Sequence, residues 1–238
     1  MKKLAVVAAT VLVASSTALG DQSFDRSVSE ARRHMRDACQ ALQNIMKTEA
    51  PERPALEKKA AAEAADALGL WSGLAKNYAQ TAPQGYAGDP GWAQRLEDVR
   101  IDIARMGKEI SEGEWRPAFL SCAHACGLLA TMHEANGVTL AIDAMAVLRK
   151  KVGFARGLLT AGKPASAVSL VKDILAARDG VLMAPLPDTP YRDAYDAALP
   201  ELSLLIDNLA KAARGGADLK APLDRLAQYV ERVYELAI

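Results

Sequence analysis

The chain has 238 residues, and its 29 Lys and Arg are balanced by 29 Asp and Glu. Such neutrality excludes the basic footprint of a nucleic-acid binder and a polybasic membrane anchor. Half of the residues are hydrophobic yet only 5% are aromatic, because the apolar content is mostly Ala, Leu, Val and Ile, a composition that favours helices over sheets.

Residues 1–20 read as a secretory signal: Lys2 and Lys3, an apolar run through Ala18, and the small residues Ala18 and Gly20 before Asp21. The expected location is therefore periplasmic or secreted. Removing the two signal lysines leaves 27 basic against 29 acidic side chains, a formal charge of −2. Beyond this segment no apolar run reaches the roughly 18 residues that a membrane helix requires, so no span is expected in the mature chain.

From Phe24 onward apolar residues recur at three- and four-residue spacing, as in Met35, Ala38, Cys39, Leu42, Ile45 and Met46, and no period-two stretch is sustained. The pattern predicts an all-α chain of eight helices. Breaks are expected at Pro51 to Pro54, Pro83 to Pro90, Glu112-Gly113, Asn136-Gly137, Gly162-Lys163-Pro164, Pro185 to Pro190 and Gly215-Gly216. The helices between them are long and closely connected, as in up-and-down bundles. Pro222 suits a first helical turn, whereas Pro200 should kink its helix or shift its start.

Residues 24–135 and 139–238 repeat one order of helices and loops. Without a gap, Met35, Cys39, Ile45 and Met46 align with Leu148, Val152, Leu158 and Leu159. Near the ends, Trp115, Phe119, Cys122, Cys126, Leu129 and Met132 align with Leu219, Leu223, Leu226, Val230, Val233 and Leu236. The expectation is two tandem antiparallel four-helix bundles, 21–137 and 138–238, each within normal domain size.

The second half shows which positions are core when only packing matters. At those positions the first half carries Met35, Cys39, Met46, Cys122, Cys126 and His133, where the second has aliphatic residues and Ala237. If the first and fourth helices are antiparallel neighbours with Met35 level with His133, Cys39 falls near Cys126 and Met46 near Cys122. Cys and Met are also ordinary core residues. In an oxidising compartment Cys39 can bridge to Cys126 or to Cys122, and with three cysteines at least one thiol stays free, binds metal or pairs between molecules. A soft trigonal site for Cu(I) from Cys39, Cys122 and Cys126, with Met46, Met35 or His133, is one alternative, and a cofactor-free structural or interaction bundle is another. His34 reads as a solvated or rim position, and His124 should face away from Cys122 and Cys126. Glu57, Glu63, Asp66, Glu97, Asp98 and Asp102 read as solvated faces, and the three tryptophans as core.

Glu112-Gly113 followed by a helix ending Leu129-Ala130-Thr131-Met132-His133 resembles the closing helix of the four-helix-bundle cytochromes, the cytochrome c-prime group and its periplasmic b-type relative. His34-Met35, followed by Leu42 and Ile45, resembles the first helix of the b-type relative. The resemblance implies one non-covalent haem b in the first bundle, with Met35 and His133 as axial ligands and Leu42, Phe119 and Leu129 as walls. It also implies electron transfer to a periplasmic redox partner. Leu129 and Met132 stand where covalently attached members have cysteines. The second bundle offers Leu148 and Ala237 at the ligand positions and is expected to carry no cofactor. No nucleophile elbow, phosphate loop, His-Glu-x-x-His element or di-iron pattern is present, so no enzyme activity is expected.

Overall fold

The computed structural model describes residues 22–238; the signal-like segment 1–20 lies outside the described residues. Eight α-helices and no strand occur among them: α1 Gln22–Ile45, α2 Pro54–Tyr78, α3 Trp92–Ser111, α4 Trp115–Ala135, α5 Ala141–Thr160, α6 Pro164–Met183, α7 Arg192–Arg214 and α8 Lys220–Leu236. Short 3-10 turns, Ala50–Glu52 and Gln84–Tyr86, sit in the first two proline-rich connections. Pro54 and Pro164 open their helices, where a missing N–H removes no intrahelical bond. Pro200 lies inside α7, which begins eight residues earlier at Arg192, so the proline does not set the helix start.

Four connections stop their helices in the same way. Gly113, Gly137, Gly162 and Gly216 have φ of 73°, 65°, 70° and 66°, a left-handed conformation that a β-carbon disfavours. Beyond each glycine the next N–H reaches back five residues: Glu114 to the Glu109 carbonyl at 2.9 Å, Val138 to His133 at 2.9 Å, Lys163 to Leu158 at 2.8 Å, and Ala217 to Ala212 at 3.0 Å. These Schellman closures satisfy carbonyls that the helix end would leave bare. At Asn136-Gly137 the closure separates α4 from α5.

The helices pack as two sets of four. In the first, α1 and α3 each lie against α2 and α4; in the second, α5 and α7 each lie against α6 and α8. Buried apolar side chains form two clusters, one drawn from residues 24–138 and one from residues 141–238. Each fully buried Leu, Ile or Val contributes roughly 1.5–3 kcal/mol. The first cluster adds aromatic rings at one end, where Phe24 packs edge-on against Tyr78 and Tyr86 at 5.1 and 5.3 Å and Tyr86 lies 4.8 Å from Trp92. Trp71 and Trp92 donate their indole N–H groups to the Leu96 and Tyr78 carbonyls at 2.8 and 2.7 Å, so these buried rings carry no unpaired donor. Trp115 is only half-buried. Ion pairs tie one set to the other: Arg26 with Asp188 at 2.7 Å on the surface, and Arg32 with Asp143 at 2.5 Å in the interior.

The turns and the helix interiors predict opposite signs for one substitution. A β-carbon at Gly137 meets nothing within 4 Å, so Gly137→Ala pays only for its backbone conformation and should lower the unfolding free energy by about 1 kcal/mol. Gly153 lies inside α5, again with open space around it; Gly153→Ala should raise stability by about 0.5–1 kcal/mol. Urea titrations of the two variants check both signs.

Candidate functional site: a buried histidine beside an interhelical cleft

His133 closes the last turn of α4 and Asp143 lies in the first turn of α5. The intervening Schellman turn brings the two face to face, and a carboxylate in a first turn also meets the positive end of the helix dipole. His133 Nδ1 is 2.5 Å from Asp143 Oδ2, and Arg32 of α1 places Nη1 2.5 Å from Oδ1. His133 is 1% and Arg32 3% exposed, so a carboxylate, a guanidinium and an imidazole share a site largely closed to water. Burial alone would raise the Asp143 pKa, but the His133 hydrogen bond and the Arg32 charge outweigh it and hold the value at about 2. Asp143 is therefore an acceptor at neutral pH, and the hydrogen-bond network assigns the shared proton to His133 Nδ1. Nε2 of the same ring is buried without a hydrogen-bond partner among the described residues, as is Arg32 Nε.

The His133 ring lies 6.2 Å from that of Tyr86, whose hydroxyl donates to Asp25 at 3.2 Å. Burial is the main cause raising the Tyr86 pKa, with Asp25 and Asp143 adding to it. The phenol therefore stays protonated.

A cleft of about 880 Å³ opens beside this cluster, between α1 and α4 on one side and α5, α6 and α8 on the other. Phe119, Ala123, Ala130 and Val147 give it apolar walls, and His133, Arg32 and Asp143 line it. Three of its cations already have partners: Arg32 with Asp143, Arg36 with Asp37 at 2.7 Å, and Arg149 with Glu231 at 2.7 Å. Arg149 also lies 5.0 Å above the Tyr234 ring. Lys150 and Lys151 line the cleft too and form no ion pair among the described residues.

The Cys39–Cys122 disulfide, with Cα atoms 6.2 Å apart, sets the register of α1 against α4. It corrects the expected level, which put Cys39 opposite Cys126 and Met46 opposite Cys122. In antiparallel helices the observed bridge brings Met35 level with Cys126 and His133 level with Val28. Met35 and His133 are then seven residues apart along the seam, about 10 Å at the helical rise. Met35, Leu42 and Leu129 are all wholly buried in the packed first core, and the Cys122 sulfur touches the Met35 carbonyl oxygen at 3.1 Å. Phe119 lines the cleft instead, and Met46 is 41% exposed rather than interior. The pair Met35 and His133 does not fit the axial positions of one haem, because a shared iron requires both donors at one level.

Cys126 keeps a free thiol on the cleft wall. Burial pushes its pKa up, and the Arg32 charge only partly opposes this, so the group is a thiol rather than a thiolate at neutral pH. With Cys39 and Cys122 joined, the three-sulfur copper set is reduced to one sulfur.

Outside the cleft, two further histidines have carboxylate partners. His124, itself 66% exposed at the side chain, contacts Asp102, which also accepts from Arg105 at 2.9 Å. Asp102 is 3% exposed and so is not the solvated residue its helical position suggested. His34 Nδ1 lies 2.7 Å from Glu63 Oε2 across the α1–α2 seam, and Asp66 stands one turn further along α2. The sequence placed His34 at a rim and the two carboxylates on a solvated face; their meeting depends on the α1–α2 register, which no local pattern encodes. Asp143 was missed for a related reason, since its partners come from helices ten and more than a hundred residues away.

Two measurements follow from this geometry. Without reductant, denatured protein should present one free thiol. Reducing the bridge, which spans 83 residues, should lower the unfolding free energy by about 4.5 kcal/mol on the loop-entropy relation. The second concerns Asp143. A carboxylate whose pKa falls from 3.8 to about 2 on folding adds about 2 kcal/mol of stability that is present above pH 4 and is lost as the pH falls from about 4 toward 2. Asp143→Asn should remove that acid limb, and at pH 7 it should cost about 3 kcal/mol because Arg32 is left buried without a counter-ion. Denaturant melts at several pH values read both effects.

No protein-family model, no curated protein and no solved structure matches the chain.

Proposed function

We propose that the chain is a non-catalytic binding protein of the periplasm or exterior, holding one non-covalent haem-like ligand in the cleft beside His133. The observation that carries this reading is the His133 ring itself. Its Nδ1–H is fixed by an ionised carboxylate, while Nε2 is buried with no hydrogen-bond partner among the described residues. A carboxylate on the far nitrogen is the arrangement that orients a metal-ligating imidazole and strengthens its donor atom. The alternative, an imidazole nitrogen desolvated without a partner, costs free energy.

The residues fit a haem with a changed ligand set. His133 would hold the iron, Phe119, Ala123, Ala130 and Val147 would face the macrocycle, and Lys150 and Lys151 would attract its two carboxylates. Met35 is left as a core residue. Bound haem would supply one-electron redox chemistry, and a periplasmic redox partner follows from that chemistry. The protein's own contribution is orientation of the imidazole by Asp143 and exclusion of water by the apolar walls. The copper reading is the weaker of the two because the bridge occupies two of its three sulfurs.

In this reading the second helix set holds no cofactor of its own but contributes a wall and Asp143. Titration of the full chain with haem, and in parallel with iron-free protoporphyrin, tests the proposal. Haem should give a saturable Soret shift at one equivalent that His133→Ala abolishes, with circular dichroism showing the variant still helical. Retained porphyrin binding in that variant would mark the cleft as the binding surface and His133 as the iron ligand. No shift with wild-type protein, or a shift indifferent to His133→Ala, overturns the haem reading.

A further inference from the structure

We propose that His34 of α1 with Glu63 and Asp66 of α2 forms a binding site for one borderline transition-metal ion of the Zn²⁺ type. The site lies apart from the His133 cleft, which none of the three residues lines.

The donor set points to this class of ion. One imidazole nitrogen and two carboxylate oxygens all lie within 4.8 Å of one another. They come from two helices packed side by side, and the two carboxylates stand three residues apart, so they share a face of α2. The His34 and Glu63 side chains are only 24% and 21% exposed, which restricts their rotamers and lowers the entropy lost on coordination. Asp66 is exposed, leaving the outer side open to solvent ligands.

Charge points the same way. Glu63 meets only His34 among the ion pairs, and neither Glu63 nor Asp66 pairs with a Lys or Arg among the described residues. Two like charges one turn apart repel, and a divalent cation between them converts that repulsion into attraction. The nitrogen donor selects the metal. Mg²⁺ and Ca²⁺ favour all-oxygen sets, whereas Zn²⁺ takes imidazole and carboxylate together and completes its shell with water. The hydrogen bond now joining His34 to Glu63 is displaced on binding, because a ligating ring nitrogen presents its lone pair to the metal.

Calorimetric titration of the full chain with Zn²⁺ tests the site, with Mg²⁺ and Ca²⁺ as competitors. The expected result is saturation at one ion per chain, unaffected by either competitor. His34→Gln and Asp66→Asn should each weaken binding by more than about tenfold, since even changes to outer-sphere partners of metal ligands cost that much. Both positions reach solvent, and unchanged far-ultraviolet circular dichroism would show the variants folded. Absence of saturable Zn²⁺ binding, wild-type affinity in either variant, or displacement by Ca²⁺ would each overturn the proposal.

Discussion

One ionised carboxylate organises the junction of the molecule. Asp143 accepts from Arg32 on one oxygen and from His133 on the other, so three side chains from α1, α4 and α5 depend on a single charge. Removing water from a guanidinium is costly, and the guanidinium is offset only while its counter-ion stays charged. The same charge fixes the tautomer of the imidazole and so decides which nitrogen is available to a ligand. The cleft wall, the relation of α5 to α1 and the donor properties of His133 thus have one physical origin. Arg32 illustrates how far this reaches: a cation takes a wholly enclosed position on α1 where the corresponding residue of α5 is Met145, an ordinary core side chain.

The bridge between Cys39 and Cys122 fixes a second relation, the axial offset of α1 and α4. Measured from the level that would pair Met35 with His133, the displacement is about two turns, small on the scale of the molecule but large on the scale of coordination chemistry. It leaves Met35 in the interior of the first four helices and His133 at the border between the two sets. In the proposed reading the ligand is therefore held near the α4–α5 turn rather than by residues facing inward along the first core.

The helices and their ends were legible in the sequence because both are local. Three- and four-residue apolar spacing marks each helix, and Gly113, Gly137, Gly162 and Gly216 mark stops that only backbone freedom permits. His133 was also legible, as a polar residue at a core position whose counterpart in the second half is Ala237. Its partner was not. Asp143 looks like any acidic residue in a first helical turn, and Asp102 like any charge on an amphipathic face, because burial by a neighbouring helix leaves no trace in local periodicity. Cysteine spacing admitted both pairings of Cys39, since Cys122 and Cys126 lie on one face a turn apart and only the helix offset chooses between them. At the aromatic end of the first core Trp92 was legible as an interior residue, but the contact of Tyr86 with His133 was not.

The position of the disulfide within the chain has a topological consequence. Cys39 lies late in α1 and Cys122 early in α4, so the covalent ring they close contains the whole of α2 and α3 together with the stretch that joins them. A peptide bond cut in the connection between α2 and α3 leaves α1, α4 and both flanking pieces on one molecule. The first helix set is thus protected against losing a piece to a single proteolytic nick at its longest loop, while the second, which has no cysteine, would hold its severed parts by packing alone. Export into a protease-rich space would make that asymmetry matter most for the half that bears the buried histidine.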